Sequence, residues 1–161
     1  MTQFQELLGL LNEHEVEFIV IGGIAAAVHG SARLTSDVDI FYKRTKENAA
    51  RIVNALENTK PYLRGAPEGL PFIFDGDTIW RGLNFTFVTT LGDIDIMGEV
   101  AGLGSFEEAE RHSVWVDPFG VRCRCIDLEY LIIAKRAAGR PKDFETIAEL
   151  ESIMDMQSDS L

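Results

Sequence analysis

The run Thr35-Ser36-Asp37-Val38-Asp39-Ile40-Phe41 holds two carboxylates two residues apart in a segment otherwise rich in β-branched and aromatic side chains. On a strand, residues at that spacing point to one face, so Asp37 and Asp39 project together while Val38 and Ile40 turn toward the core. Adjacent carboxylates repel each other and are costly to hold unless something positive lies between them. Mg²⁺ suits such a pair, because it takes one or two protein carboxylates and fills its remaining positions with phosphate oxygens. The plainer reading of Asp-x-Asp is an edge strand whose acids face water.

The elements upstream favour the first reading. Phe18-Ile19-Val20-Ile21 is a short continuous apolar run, read as a buried strand. Gly22-Gly23 breaks it, and Ile24-Ala25-Ala26-Ala27-Val28 has the composition of a short, tightly packed helix. A strand, a double glycine and a helix form a geometry in which backbone N–H groups can cradle an anion. Glycine permits the tight turn and lets a phosphate approach the backbone. Alone, Gly22-Gly23 needs no more than a strand-to-helix turn; with the acidic pair following, cradle and metal ligands describe one site.

The stretch from Gly22 through His29-Gly30 to Arg33-Leu34-Thr35-Ser36-Asp37-Val38-Asp39 resembles the signature of the nucleotidyltransferase superfamily of the DNA polymerase beta type. Its double glycine, His-Gly and Arg-x-Thr-x-Asp-x-Asp run is similar to that of the AbiEii-type toxin nucleotidyltransferases and their bacterial relatives. The resemblance departs at Gly23, where the superfamily usually has a serine hydroxyl that contacts phosphate. It implies a third carboxylate on a neighbouring strand, for which Leu91-Gly92-Asp93-Ile94-Asp95-Ile96-Met97 supplies Asp93 and Asp95. Asp95, flanked by isoleucines inside the strand, is the stronger candidate; Asp93 lies nearer a turn, where aspartate has a local role. One of the two must come within about 7 Å of the Asp37 and Asp39 oxygens to share metal ions with Mg²⁺–O bonds of about 2.1 Å.

A second segment, Leu131 to Asp143, resembles the C-terminal motif of the same toxin-like group through Lys135 and Arg140-Pro141-Lys142-Asp143. Lys135 continues the apolar stripe of Leu128, Leu131 and Ile132, so it needs an anionic partner or must snorkel to water. Asp143 falls early in the last helix, where the helix dipole alone favours an acid. The resemblance therefore implies Asp37, Asp39 and Asp95 as catalytic and Mg²⁺-binding residues. It implies Gly22, Gly23, Arg33, Ser36, Lys135 and Asp143 as nucleotide-binding residues. Arg33 either contacts phosphate or pins its loop, and His29 reads as a packed helix-end residue. The implied activity is Mg²⁺-dependent transfer of a nucleoside monophosphate from an NTP to an acceptor hydroxyl. Two metals could support in-line displacement at the α-phosphate, one activating that hydroxyl and both stabilising the leaving pyrophosphate, with the third carboxylate as general base. The implied acceptors are an RNA such as tRNA or a protein such as a cognate antitoxin. The alternative is an inactive nucleotide-binding or partner-binding module of the same fold.

These residues need a scaffold. Phe4, Leu7, Leu8 and Leu11 predict an amphipathic first helix over 3–14, and Thr45 caps a helix to about Asn58. Residues 59–82 carry no clear pattern and are expected to form the base-contacting part of the nucleotide pocket. Within them Asp75-Gly76-Asp77 reads as a turn. Asn84–Thr90 and Asp93–Met97 read as strands joined at Leu91-Gly92, and Ser105 caps a short acidic helix. Asp117-Pro118-Phe119-Gly120 marks a hairpin. Asp127 caps a helix that Gly139 ends, and Pro141 opens another. The fold class is α+β: a nucleotidyltransferase-like mixed β-sheet with flanking helices and a short C-terminal helical lobe. One domain is expected over 1–156, with 157–161 a frayed tail.

Composition narrows the function classes. The 161 residues are 46% hydrophobic and 25% charged, as in ordinary globular proteins. The longest apolar stretch, Phe18 to Val28, falls short of the ~20 residues that span a bilayer. The N-terminus has no basic segment leading an apolar one, so a cytoplasmic location is expected. A net charge of −11 disfavours non-specific DNA binding and leaves room for a basic partner. Cys123 and Cys125 fall on one strand face with no further clustered ligands, and read as buried reduced thiols.

Overall fold

The apolar stripe near the N-terminus forms α1 (Phe4–Glu13), which buries Leu7, Leu8 and Leu11. The computed structural model describes residues 1–160. Among these, seven strands form one mixed sheet: β1 (Phe18–Ile21), β2 (Asp37–Tyr42), β3 (Tyr62–Leu63), β4 (Asn84–Thr89), β5 (Gly92–Met97), β6 (Ser113–Val116) and β7 (Cys123–Ile126). Their order across the sheet is β3-β4-β5-β2-β1-β7-β6. β1 is buried along its whole length, as a strand covered on both faces must be. It pairs antiparallel with β2 and parallel with β7. β2 pairs parallel with β5, and the outer pairs β3–β4, β4–β5 and β6–β7 are antiparallel.

Helices α2 (Gly22–Val28), α3 (Lys46–Leu56), α4 (Gly76–Arg81), α5 (Phe106–Arg111), α6 (Leu128–Ala138) and α7 (Phe144–Asp159) complete the α+β architecture. Thr45, Ser105 and Asp127 each accept the backbone N–H three residues on, satisfying a donor that the first turn leaves free. Gly139 closes α6 in the left-handed conformation. α1 packs on α3 and α3 on α4, while α2 packs on α6 and α6 on α7. Val38 and Ile40, facing away from the acids, are fully buried with Leu7, Leu8, Leu11, Ile52 and Leu56 in one core.

Three sequence expectations need correction. Asp75-Gly76-Asp77 is a helix start: the Asp75 side chain accepts from Thr78 N–H and opens α4. The unpatterned 59–82 segment holds both α4 and the two-residue β3, elements too short to show a period. The polar tail expected to fray after Met156 is helical through Asp159; Leu161 lies outside the described residues. Cys123 and Cys125 are buried and unpaired, and burial pushes their thiols up to about 11 and about 12. No helix among the described residues is long and apolar enough to cross a membrane.

Asn48 ties the β1–β2 pair to α3. Its side chain is fully buried; Nδ2 donates to the carbonyls of Glu17 and Lys43 at 3.0 and 2.7 Å, and Oδ1 accepts from Glu17 N–H at 2.8 Å. Truncation strands the Glu17 N–H, a buried donor that is costly without a partner, and removes one of two donors from the Glu17 and Lys43 carbonyls, which keep the N–H groups of Lys43 and Thr45. Asn48→Ala should lower unfolding free energy by about 2 kcal/mol in urea titration. An unchanged midpoint would show that water replaces the amide.

Candidate active site

The β2–β5 register decides which acids meet. Asp37 lies beside Asp93 and Asp39 beside Asp95, and the period of two puts all four on one sheet face. Asp37, Asp39 and Asp95 each offer an oxygen, and these oxygens lie within 4.8 Å of one another. That is inside the separation required for shared metal ions. The donors are all carboxylate oxygens, the set preferred by hard divalent cations such as Mg²⁺ or Mn²⁺. The cost of holding them together is visible in their protonation. Burial, then the charge of Asp37 and the hydrogen bond and charge of Asp95, push Asp39 up to about 8 against the pull of the Gly23 N–H. Asp37 is also raised, by burial and then by Asp95. A divalent cation relieves that repulsion, so the residues present fit one.

The double glycine is shaped to this cluster. Ile21 pairs with Asp39 across β1–β2, so the chain leaves β1 directly over that carboxylate. Gly22 has φ +67°, and a Cβ there would overlap Asp39. A Cβ at Gly23 would overlap the Thr35 side chain. Thr35 thus occupies the space that a serine at position 23 would claim, and it lines the cleft there. The departure at Gly23 accordingly comes with a hydroxyl entering from the neighbouring loop.

The cluster opens into a cleft of about 510 Å³. Gly22, Gly23, Ser36, Lys135 and Asp143 line it together with the three acids, as do Arg140 and Lys142. Asp143 ends a 3₁₀ turn over Pro141–Asp143 and makes no cap bond to α7. Its buried carboxylate instead lies 3.7 Å from Lys135 Nζ and 2.7 Å from Arg140 Nε. Lys135 has therefore found an anionic partner instead of snorkelling. The expected base contacts from 59–82 do not materialise: no residue of that segment lines the cleft. Its apolar lining comes from Leu34, Met97, Val100, Ala101, Leu131, Ala134 and Ala138.

Arg33 stays outside the cleft lining. Its guanidinium lies 3.0 Å from Glu145 and 3.8 Å from Glu149 of α7, and Glu149 also takes Ser31 Oγ and Ala32 N–H. These contacts pin the loop between α2 and β2, the second of the two roles open to Arg33. His29 Nε2 donates to the Ile126 carbonyl at 2.7 Å, consistent with a packed helix end. Sequence reasoning missed Arg64, which reaches the acids from the β4 side: it lies 2.7 Å from Asp95, 3.3 Å from Asp93 and 3.9 Å from Asp37. A lone basic residue after a two-residue strand carries no local signal.

A family model described as a nucleotidyltransferase of unknown function (DUF6036) matches residues 1–161. No curated protein matches the sequence. Among solved structures, the lincosamide antibiotic adenylyltransferase LnuA, bound to lincomycin, superposes with a TM-score of 0.62 at 17% identity, covering 94% of this chain and 98% of that one. The Thermotoga maritima protein TM1012, assigned as a nucleotidyltransferase, gives a TM-score of 0.58 at 16% identity over 94% and 96%. ANT(2")-Ia in complex with adenylyl-2"-tobramycin gives 0.56 at 12% identity over 98% and 97%. At these identities the likeness concerns the fold.

The raised Asp39 carboxyl has a consequence for stability. The folded chain holds this proton more tightly than the unfolded chain, whose value is near 3.8. Its stabilising contribution is complete below that value and is lost as pH rises through about 8. In EDTA, Tm should fall between about pH 5 and pH 8.5, and Mg²⁺ should offset the fall. Asp39→Asn should flatten the slope and raise the metal-free Tm at pH 8. A slope unchanged in Asp39→Asn would assign the titration to other groups.

Proposed function

The chain belongs to the DUF6036 nucleotidyltransferases, and on that premise we propose that it moves a nucleoside monophosphate from an NTP to an acceptor hydroxyl in a Mg²⁺-dependent reaction. The observation that carries this reading is one cleft with three carboxylates within 4.8 Å on its sheet wall and Lys135, Arg140 and Lys142 on its helical wall. Held by Asp37, Asp39 and Asp95, Mg²⁺ would supply positive charge to the α-phosphate and to the pyrophosphate as it departs.

The chain's own groups take the other roles. Lys135, Arg140 and Lys142 neutralise the triphosphate across the cleft, with Asp143 holding the first two in place. The Gly22-Gly23 backbone, Thr35 and Ser36 border the phosphate path, and Arg33 acts through the loop it pins. The acceptor oxygen bonds to the α-phosphorus while the bond to the bridging oxygen breaks, its electron pair leaving with pyrophosphate. The acceptor proton passes to Asp95, the general base, one of whose oxygens is held by Arg64. The apolar lining from Met97 to Ala138 suits a base or an apolar part of the acceptor.

The acceptor is a hydroxyl of an RNA such as tRNA, or of a protein such as an antitoxin in a toxin–antitoxin pair. The small-molecule acceptors in the LnuA and ANT(2")-Ia structures add a third class to test. NTP substrates and two unpaired thiols suit a cytoplasmic setting. A second reading, an inactive nucleotide- or partner-binding member, draws on the missing serine at position 23.

Isothermal titration of the four NTPs with Mg²⁺ should reveal binding that Asp37→Asn/Asp39→Asn abolishes and that Lys135→Ala weakens about tenfold, or ~1.4 kcal/mol. Labelled NTP offered with RNA, protein and small-molecule pools should then yield a labelled acceptor. Binding without transfer to any pool would favour the inactive module; no NTP binding by folded wild type would overturn the nucleotidyl-transfer reading.

A further inference from the structure

Arg64 is the one basic side chain within 4 Å of Asp93, Asp95 or Asp37 among the described residues, and it reaches all three. Its backbone N–H pairs with the Thr86 carbonyl, extending the β3–β4 ladder by one residue. From there the side chain crosses β4, where Nη2 donates to the Phe87 carbonyl at 3.0 Å, and its head lies against β5 and β2. Three nitrogens thus approach three carboxylates on two adjacent strands. An arginine that only fastened β3 to its neighbour would need the carbonyl bond and nothing more.

The quality of these contacts is informative. Nη2 and Asp95 Oδ1 are 2.7 Å apart, yet neither Asp95 Oδ1 nor Arg64 Nε, both buried, has an aligned hydrogen-bond partner. The guanidinium therefore meets Asp95 in one short ion-pair contact and acts on Asp93 and Asp37, at 3.3 and 3.9 Å, mainly as a positive charge. Arg64 is also absent from the cleft lining, so it approaches the acids from the β4 side and leaves their cleft side open. An entering ion need not expel it.

Resting on the metal-site reading above, the geometry points to Arg64 as the resident counter-cation of the carboxylate cluster. It is a positioning residue that stands in for the divalent ion when none is bound and holds the ligand set assembled for it. With all four carboxylates ionised, one guanidinium leaves a net charge of −3, which an incoming divalent ion reduces to −1. Arg64 therefore keeps the metal-free site folded and at the same time weakens metal binding by placing like charge beside the ion.

The test compares wild type, Arg64→Gln, Arg64→Lys and Arg64→Gln/Asp93→Asn, reading Tm in EDTA and in saturating Mg²⁺ and measuring Mn²⁺ affinity by electron paramagnetic resonance. Arg64→Gln should lower the metal-free Tm by roughly 5 °C or more. Mg²⁺ should raise its Tm by more than it raises that of wild type, and Mn²⁺ should bind several-fold tighter. Arg64→Lys should retain the metal-free Tm and the wild-type affinity, since it keeps the charge. The double variant, which removes one charge of each sign, should recover the metal-free Tm, and it carries the comparison if Arg64→Gln does not fold. A Tm loss of equal size with and without Mg²⁺, or unchanged or weaker Mn²⁺ binding in a folded Arg64→Gln, would overturn the role of Arg64 alone. Wild type that takes up no Mn²⁺ would overturn the metal-site reading and the proposal with it.

Discussion

Parallel pairing of β2 with β5 places four carboxylates on one face of two neighbouring strands, Asp37 beside Asp93 and Asp39 beside Asp95. Like charges directly opposite each other destabilise a sheet, and burial sharpens the repulsion until Asp39 holds its proton up to about pH 8. Much of the surrounding structure answers that one constraint. Isoleucines alternate with the acids and sink into the core, fixing the register that a slip of one residue would invert. The glycine at the end of β1 leaves room for the Asp39 carboxylate where any side chain would collide with it.

Positive charge reaches the cluster from two directions, and the two are held differently. Arg64, the residue after β3, comes across β4 from the edge of the sheet and is anchored to the Phe87 carbonyl. Lys135 and Arg140 come from the helical side and are gathered by Asp143, a buried acid whose own charge they satisfy. Asp143 costs little in that setting because two cations pair with it, whereas a buried carboxylate without a partner is expensive to desolvate. The cleft between these two groups is consequently bipolar, anionic along the sheet and cationic along α6 and the turn after it. A ligand carrying both a metal ion and a triphosphate matches that polarity.

The loop between α2 and β2 links the two walls. Glu149 of α7 takes Ser31, Ala32 and Arg33, so the segment that leads into Asp37 is fastened to the C-terminal helix. Thr35 on the same loop fills the space above Gly23. Displacing α7 would therefore move both the cationic wall and the approach to the acidic pair.

Local pattern was enough to read the elements that are long or capped. α1, β1, β2, α3, β4, β5 and α6 follow from apolar spacing and from Thr45 and Asp127, because period and cap chemistry are properties of neighbouring residues. The Asp-x-Asp pair and the double glycine were legible for the same reason, each being a short motif whose face strand alternation or turn chemistry fixes, whereas the third carboxylate was sought because the family resemblance implies one. β3 and α4 were not legible, since two or six residues show no period. Nor was Arg64, whose partners lie on β5 and β2, or the turn at Asp75, which needed the helix behind it to be read as a cap. The sequence by itself determined which side chains share a face within each strand and that Thr45, Ser105 and Asp127 cap their helices. Only the tertiary structure decided that β2 lies beside β5 in the register that joins Asp39 to Asp95, that Arg33 turns to α7, and that Thr35 takes the space over Gly23. Those outcomes depend on which distant strands and loops pack together, and no local period encodes that choice.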